Sequence, residues 1–377
     1  MKVTVLQENL ARGLGIVSRA VSPRSTLPVL SNILIATDEG RLRLSATNLE
    51  LGITCWIAAR IDEDGSTTVP ARTFSDLVNA MPIDQVHLTL DVKTQSLHVK
   101  GGSSNNDIKC IDAQEFPPLP TPEMEDAVQL NVSDFKEMIH QVSFAASTDE
   151  ARPVLMGVLM NVEKDMVTMA AADGFRLSVR KAQLSQSVSQ PINVIIPARA
   201  LNELARVAAD GEEPIYMVVP KNRGQVLFRV KDVEVVSQLI EGTFPDYHQI
   251  IPRNYKSRTL VSTASLLKAC KQAEIFAREG SNVARFDIKQ ANGEMQPSEV
   301  EISAVSEETG KNETIVEATV DGGSVLIAFN VKFLREALEV IKTPNVALET
   351  SAANAPGVVK PVGDDNFLHV IMPMHLG

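Results

Sequence analysis

A strand-then-helix segment recurs at long intervals along this chain of 377 residues. Met1–Val21 (MKVTVLQENLARGLGIVSRAV) runs from an alternating strand into an amphipathic helix. The same pattern returns at Ala127–Ser147 and at Arg258–Arg278. A second strand-helix segment lies midway through each copy, at Thr67–Pro82, Asn193–Ala209 and Val325–Lys342. A repeat of this length makes each copy one structural unit and predicts an array with extended surfaces rather than one catalytic crevice. Three copies give domains of about 125 residues, an ordinary size. The boundaries are placed at 1–123, 124–252 and 253–377.

The helical segments share one template. Phe74, Leu77, Val78 and Met81 stand at i, i+3, i+4 and i+7, as do Phe135, Met138, Ile139 and Val142. Leu201, Leu204, Ala205 and Ala208 repeat the spacing, and so do Leu334, Ala337, Leu338 and Ile341. Each helix thus has one apolar stripe to bury. Between them lie short β-rich runs, among them 33–36, 41–46, 51–60, 67–69, 154–162, 166–171 and 177–180. Turn residues separate these runs, and Gly101–Asn106 reads as a mobile hairpin tip. Glu115–Pro122 (EFPPLPTP) and Thr243–Pro252 (TFPDYHQIIP) close the first two copies as linkers, since proline cannot continue a ladder. One helix and about four strands per half-domain predict an α+β fold, with helices on one face of antiparallel sheets.

Apolar residues make up 44% of the chain and charged residues 22%, a globular balance, so the scarce aromatics (4%) leave the cores to aliphatic side chains. No run approaches a membrane span, and Met1-Lys2 precedes a strand rather than the apolar core of a signal peptide. Cys55, Cys110 and Cys270 are odd in number and far apart, which points to a reducing cytoplasm. No phosphate loop, dinucleotide fingerprint, zinc motif or nucleophile elbow occurs, and the six histidines show no ligand spacing. Neither a cofactor nor a metal is expected. Asp173 fits a tight turn better than a catalytic role, and the acidic run 123–126 a solvated linker. Phe175, Phe244 and Tyr247 are too isolated to make a base-stacking stripe.

A net charge of −11 argues on its face against nucleic acid. Its distribution changes the picture. The six helical windows carry twelve basic and eight acidic side chains, a net +4, which leaves −15 on the remainder. Six helices on one surface would make that surface mildly basic on an acidic protein.

Several motifs, in order, resemble one family. They are Arg24–Leu30 (RSTLPVL), Ala46–Glu50 (ATNLE), Val69–Arg72 (VPAR), Ala172–Leu177 (ADGFRL), Phe244–Tyr247 (FPDY), Ala328–Asn330 (AFN) and Val370–Leu376 (VIMPMHL). On a threefold repeat of this length the chain resembles the bacterial DNA polymerase III β subunit, the sliding clamp, from Met1 to Leu376. The resemblance implies a non-enzymatic processivity factor. Each domain would be a pseudo-twofold pair of helix-plus-four-strand units. Two chains would form a head-to-tail homodimer ring, with helices lining a hole for double-stranded DNA and sheets outside. Holding DNA by topology needs only weak phosphate affinity, so −11 ceases to be an objection.

The resemblance also assigns residues. A peptide-binding recess for the replicative polymerase, the clamp loader and other clamp-motif proteins falls on Leu155, Gly174, Phe175, Arg176, Leu177, Pro245, Ile250, Asn330, Phe333, Val370, Ile371, Met372, Pro373, Met374 and Leu376. His375 and Phe175 depart from the family pattern and bear on peptide preference. DNA contact falls on Arg24, Arg72 and Arg199, with Lys332 added from the repeat. The ring joint falls on Ile108, Ile275 and Phe276, with Asn106 where a second apolar residue is usual. The rival readings are a peptide-binding scaffold without a closed ring, and an enzyme using Asp173 or Asp246.

Overall fold

The computed structural model describes residues 1–22, 25–82, 84–121, 123–124, 127–208, 211, 213–221, 224–291 and 297–375. Among them the order strand, helix, three strands occurs six times in succession, followed by a short final strand at Pro373–Met374. The six helices are α1 (Gln7–Val17), α2 (Ala71–Ala80), α3 (Val132–Val142), α4 (Ala198–Val207), α5 (Thr263–Ala277) and α6 (Val331–Glu339). Every apolar stripe read from spacing is turned inward: Phe74, Val78, Phe135, Ile139, Leu201, Leu204, Leu334 and Leu338 are all buried.

Local details differ from the sequence expectation. The windows overran the helices. Arg19 lies in a 3-10 turn after α1, Arg278 caps the end of α5, and Lys342 lies beyond α6. Val154–Met156 belong to a 3-10 turn that starts at Pro153, so the strand begins only at Gly157. The supposed hairpin tip is mostly strand: Gly101 pairs with Ser104, leaving Gly102 and Ser103 as the turn.

The chain divides into two compact units, and the central repeat is shared between them. The first unit, 1–133 with 199–239, holds a 12-stranded sheet. In it the strand Val233–Gln238 pairs antiparallel with Leu51–Glu63, from Leu51 opposite Ser237 to Cys55 opposite Val233. The second unit, 134–198 with 240–377, holds a 13-stranded sheet. There Phe367–Ile371 pairs with Arg176–Gln183, from Arg176 opposite Ile371 to Arg180 opposite Phe367. Both pairings carry a sheet across a repeat boundary. The largest core of the second unit sets Leu266, Cys270, Leu334 and Leu338 on Phe286, Phe329 and Phe367. Phe286 and Phe329 meet edge to face at 5.6 Å. Each such ring contributes roughly 1.5–3 kcal/mol by burial.

Candidate docking recess and basic helix ends

The second unit gathers many of the residues expected to bind peptides. Leu155, Leu177 and Val370 join Phe244 and Tyr247 in one apolar cluster. Leu177 and Val370 are buried and form a floor; Leu155 is half-buried at the edge. The turn before Leu177 is built by Asp173, whose Oδ1 accepts from the N–H of Phe175 (2.8 Å) and of Arg176 (3.0 Å). Gly174 takes φ +94°, where its lack of Cβ removes the steric cost. This turn presents Phe175 at 56% exposure. The Phe175 carbonyl accepts from the N–H of Met372 (2.9 Å), which fixes the terminal segment beside the turn. Pro373 and Met374 then pair with Phe329 and Ala328. Pro245 and Ile250 stay exposed on the linker whose Phe244 and Tyr247 are buried.

Some assignments need correction. Ile371 does not face the recess. Successive strand residues point to opposite faces, so Val370 joins the recess floor while Ile371 packs into the α5–α6 core. Arg176 is no free cation either. Its guanidinium lies 4.2 Å from the Phe333 ring centroid and 5.3 Å from that of Phe144, and it donates to the Phe144 carbonyl (2.7 Å), Asp173 and Glu336. It braces the site rather than reaching from it. Asn330 caps α6, its Oδ1 accepting from the N–H of Lys332 and Phe333. Leu376 lies outside the described residues. Two contributors were missed from sequence. Phe144 stacks beside the Arg176 guanidinium, and Arg152 donates to the Asp173 carbonyl (2.9 Å). Both are brought in only by tertiary structure, whereas Tyr247 of the FPDY motif packs as its sequence context suggested.

Arg24 also lies outside the described residues. Arg72, Arg199 and Lys332 are exposed and share one position, the second residue of α2, α4 and α6. The helix dipole there favours anions, so a cation at each of the three is slightly unfavourable for the helix alone. An exposed cation at such an end can still meet a phosphate through its own charge. Five of the twelve helical-window cations are held by carboxylates. Arg19 and Arg206 pair with Glu203, Lys271 with Glu339, Arg335 with Glu274 and Glu339, and Lys342 with Glu137. Arg72 has a long contact to Asp76 at 3.8 Å, both highly exposed.

At the expected joint, Ile108 is only 5% exposed and Phe276 packs against the third repeat's core, so neither side chain is free. Ile275 is 58% exposed. Val305 (70%) and Ile315 (56%) are exposed apolar residues of the same repeat that the sequence reading missed.

The acids proposed for an enzyme are spent on turns: Asp173 as above, and Asp246 on the N–H of His248 and the Gln249 amide. Burial pushes the Cys55 thiol up to about 11 and raises Cys270 as well, which makes both poor nucleophiles. No described helix is long and apolar enough to cross a membrane.

Comparison with known proteins completes the picture. Models of the DNA polymerase III beta subunit match in three consecutive pieces: the N-terminal domain over residues 1–120, the central domain over 129–246 and the C-terminal domain over 248–375. The chain is 36% identical to the beta sliding clamp of Staphylococcus aureus over 99% of both chains, and 34% identical to that of Staphylococcus epidermidis over the same share. The sliding clamp of Bacillus subtilis superposes over 100% of both chains with a TM-score of 0.93 at 30% identity. A Pseudomonas aeruginosa clamp bound to griselimycin does so with 0.92 at 27%. Fold and likeness together define a DNA-clamp protein of three similar domains. The chain belongs to the bacterial DNA polymerase III β subunit family, the β sliding clamps. Its function is that of a processivity factor for DNA polymerase, and it is not an enzyme.

Proposed function

We propose that two copies of this chain close head to tail into a ring around duplex DNA. The domains are taken to end at 123, 252 and 377. The recess floored by Leu155, Leu177 and Val370 would hold short segments of the replicative polymerase, the clamp loader and other replication and repair proteins. Phe175, Ile250, Met372, Pro373 and Met374 would contact them, with Gly174, Pro245, Asn330 and Phe333 shaping the rim. This work belongs to the cytoplasm.

The observation that carries the ring is a joint made twice and left open once. In each made joint the strand that closes the strand, helix, three-strand series of one repeat pairs with a strand of the repeat before it. The turn before each receiving strand has one design. Asn48 Oδ1 accepts from the N–H of Glu50 and Leu51, and Asp173 Oδ1 from those of Phe175 and Arg176. Ser306 Oγ accepts in the same way from Glu308 and Thr309. A third receiving strand therefore starts after Ser306, within Gly310–Gly322. Its first half pairs with Glu299–Ser306 on one side and has no strand on the other among the described residues. The first repeat's last strand, Ser104–Lys109, is likewise an edge. An open edge of N–H and C=O groups is a template for pairing.

Repeating the register of the made joints sets Ile108 opposite the partner's Thr309 and Asn106 opposite the partner's Lys311. The joint thus rests on backbone pairing, which suits the burial of Ile108. Exposed Ile275, Val305 and Ile315 add apolar surface to the same repeat. Arg72, Arg199 and Lys332 would meet phosphates without reading bases, as sliding requires. Loaded protein should remain on nicked circular DNA and leave once the circle is cut. Equal retention on cut and uncut DNA would point to a scaffold without a ring.

A further inference from the structure

The backbone frame of the candidate docking recess recurs in the first unit. The Glu50 carbonyl accepts from the N–H of Gln238 (2.8 Å), as that of Phe175 does from Met372 (2.9 Å). The Leu30 carbonyl accepts from Ser22 (3.0 Å), as that of Leu155 does from Ser147 (2.8 Å). Phe116 packs with Val29, Leu30 and Leu119, as Phe244 packs with Val154, Leu155 and Tyr247. Leu27 therefore stands where Arg152 stands, Leu49 where Gly174 stands, and Glu50 where Phe175 stands.

The decoration differs. Leu27 is 49% and Leu49 51% exposed. Leu49 holds φ +77°, in the left-handed region where its repeat counterpart is glycine. Neither exposure nor this backbone serves the fold: a glycine would suit the turn, and a polar residue the surface. Glu50 adjoins Leu49 and Glu115 adjoins Phe116; both are exposed, and neither has a cationic partner among the described residues. An apolar pair flanked by two unpaired carboxylates complements a segment that alternates apolar and basic side chains.

We propose that this surface is a second docking site, for a linear peptide carrying leucine-like and lysine or arginine side chains. The choice of a peptide rests on the reading of the first recess, whose backbone frame it shares. The two sites divide ligands by charge, since the first presents Phe175 where the second presents Glu50.

The test uses the full-length protein and a labelled peptide Lys-Leu-Arg-Leu-Leu-Lys, with Glu-Leu-Glu-Leu-Leu-Glu as its acidic counterpart, read by fluorescence anisotropy. Leu49→Gly suits the backbone and Leu27→Ser the surface, so both variants should fold, which circular dichroism checks. The basic peptide should bind; each of these variants should weaken it about fivefold or more, Glu50→Gln about threefold, and Phe175→Ser not at all. Loss with Phe175→Ser alone would overturn the second site and leave the first standing. Equal binding of the acidic peptide, or no binding of the basic one, would overturn the proposal, while a peptide from the polymerase lost with Phe175→Ser tests the first recess separately.

Discussion

His369 is the residue whose environment departs furthest from its sequence appearance. It is fully buried at a repeat joint, its Nδ1 at 2.7 Å from Ser178 Oγ and its ring stacked at 5.6 Å on Phe144. Burial, helped by the nearby Arg176 charge, lowers its pKa from 6.5 to about 3. The folded form therefore keeps it neutral while the unfolded chain takes up a proton below about 6.5. Stability is unaffected above that pH and falls as pH drops towards 3. One pH unit below 6.5 the loss is about 1.4 kcal/mol. Urea midpoints at pH 7.5 and 5.5 should differ by less in the double variant Ser178→Ala, His369→Leu than in the parent. The double change removes both polar partners and leaves no orphan. An equal difference in both proteins would mean that His369 is protonated in the folded state. None of this was legible in the chain, because Ser178 and His369 are brought together only by strand pairing across 191 positions. The VIMPMHL motif marked the place, not which of its alternate side chains turns inward.

At the level of elements the sequence was more readable. Four apolar stripes and the strand-helix repeat marked six helices, because a stripe needs only local spacing and something to bury against. Helix ends were less legible, since they depend on caps. Asn330 is the clearest cap, with contacts of 3.1 and 3.3 Å to the N–H of Lys332 and Phe333. Asn330→Ala should cost about 1 kcal/mol and Asn330→Asp little, because aspartate caps as well as asparagine. Thermal melts would check the ranking. A structural cap predicts weaker peptide binding in the alanine variant alone, through Phe333. Parity of aspartate and alanine would show that the amide of Asn330 acts otherwise. The three matching turns at Asn48, Asp173 and Ser306 were harder to see. Three residue types do one job there, accepting from the N–H groups two and three residues on, so identity is lost while function is kept.

For the whole molecule, the basic lining inferred from +4 on the helices is thinner than the count implied. Arg19, Arg206, Lys271, Arg335 and Lys342 are paired with carboxylates. Among the cations expected to meet DNA, Arg199 and Lys332 stand exposed with no carboxylate partner among the described residues. Weak phosphate contact suits a protein held by closure rather than by affinity, so the joint carries the burden. The two made joints fix its expected register. In one, Ile53 faces Val235; in the other, Ser178 faces His369 with side chains in contact. The corresponding pair between chains is Lys311 and Asn106. Cysteines at both positions should sit within disulfide reach, since facing residues of antiparallel strands have Cα atoms roughly 4.5–5.5 Å apart. Mild oxidation of Asn106→Cys, Lys311→Cys should give a covalent dimer on non-reducing gels. Each single variant should stay monomeric on the same gel, and so should Asp107→Cys, Lys311→Cys, whose side chains point to opposite faces. Cross-linking in the Asp107 pair instead would shift the joint by one residue and break its likeness to the two within the chain.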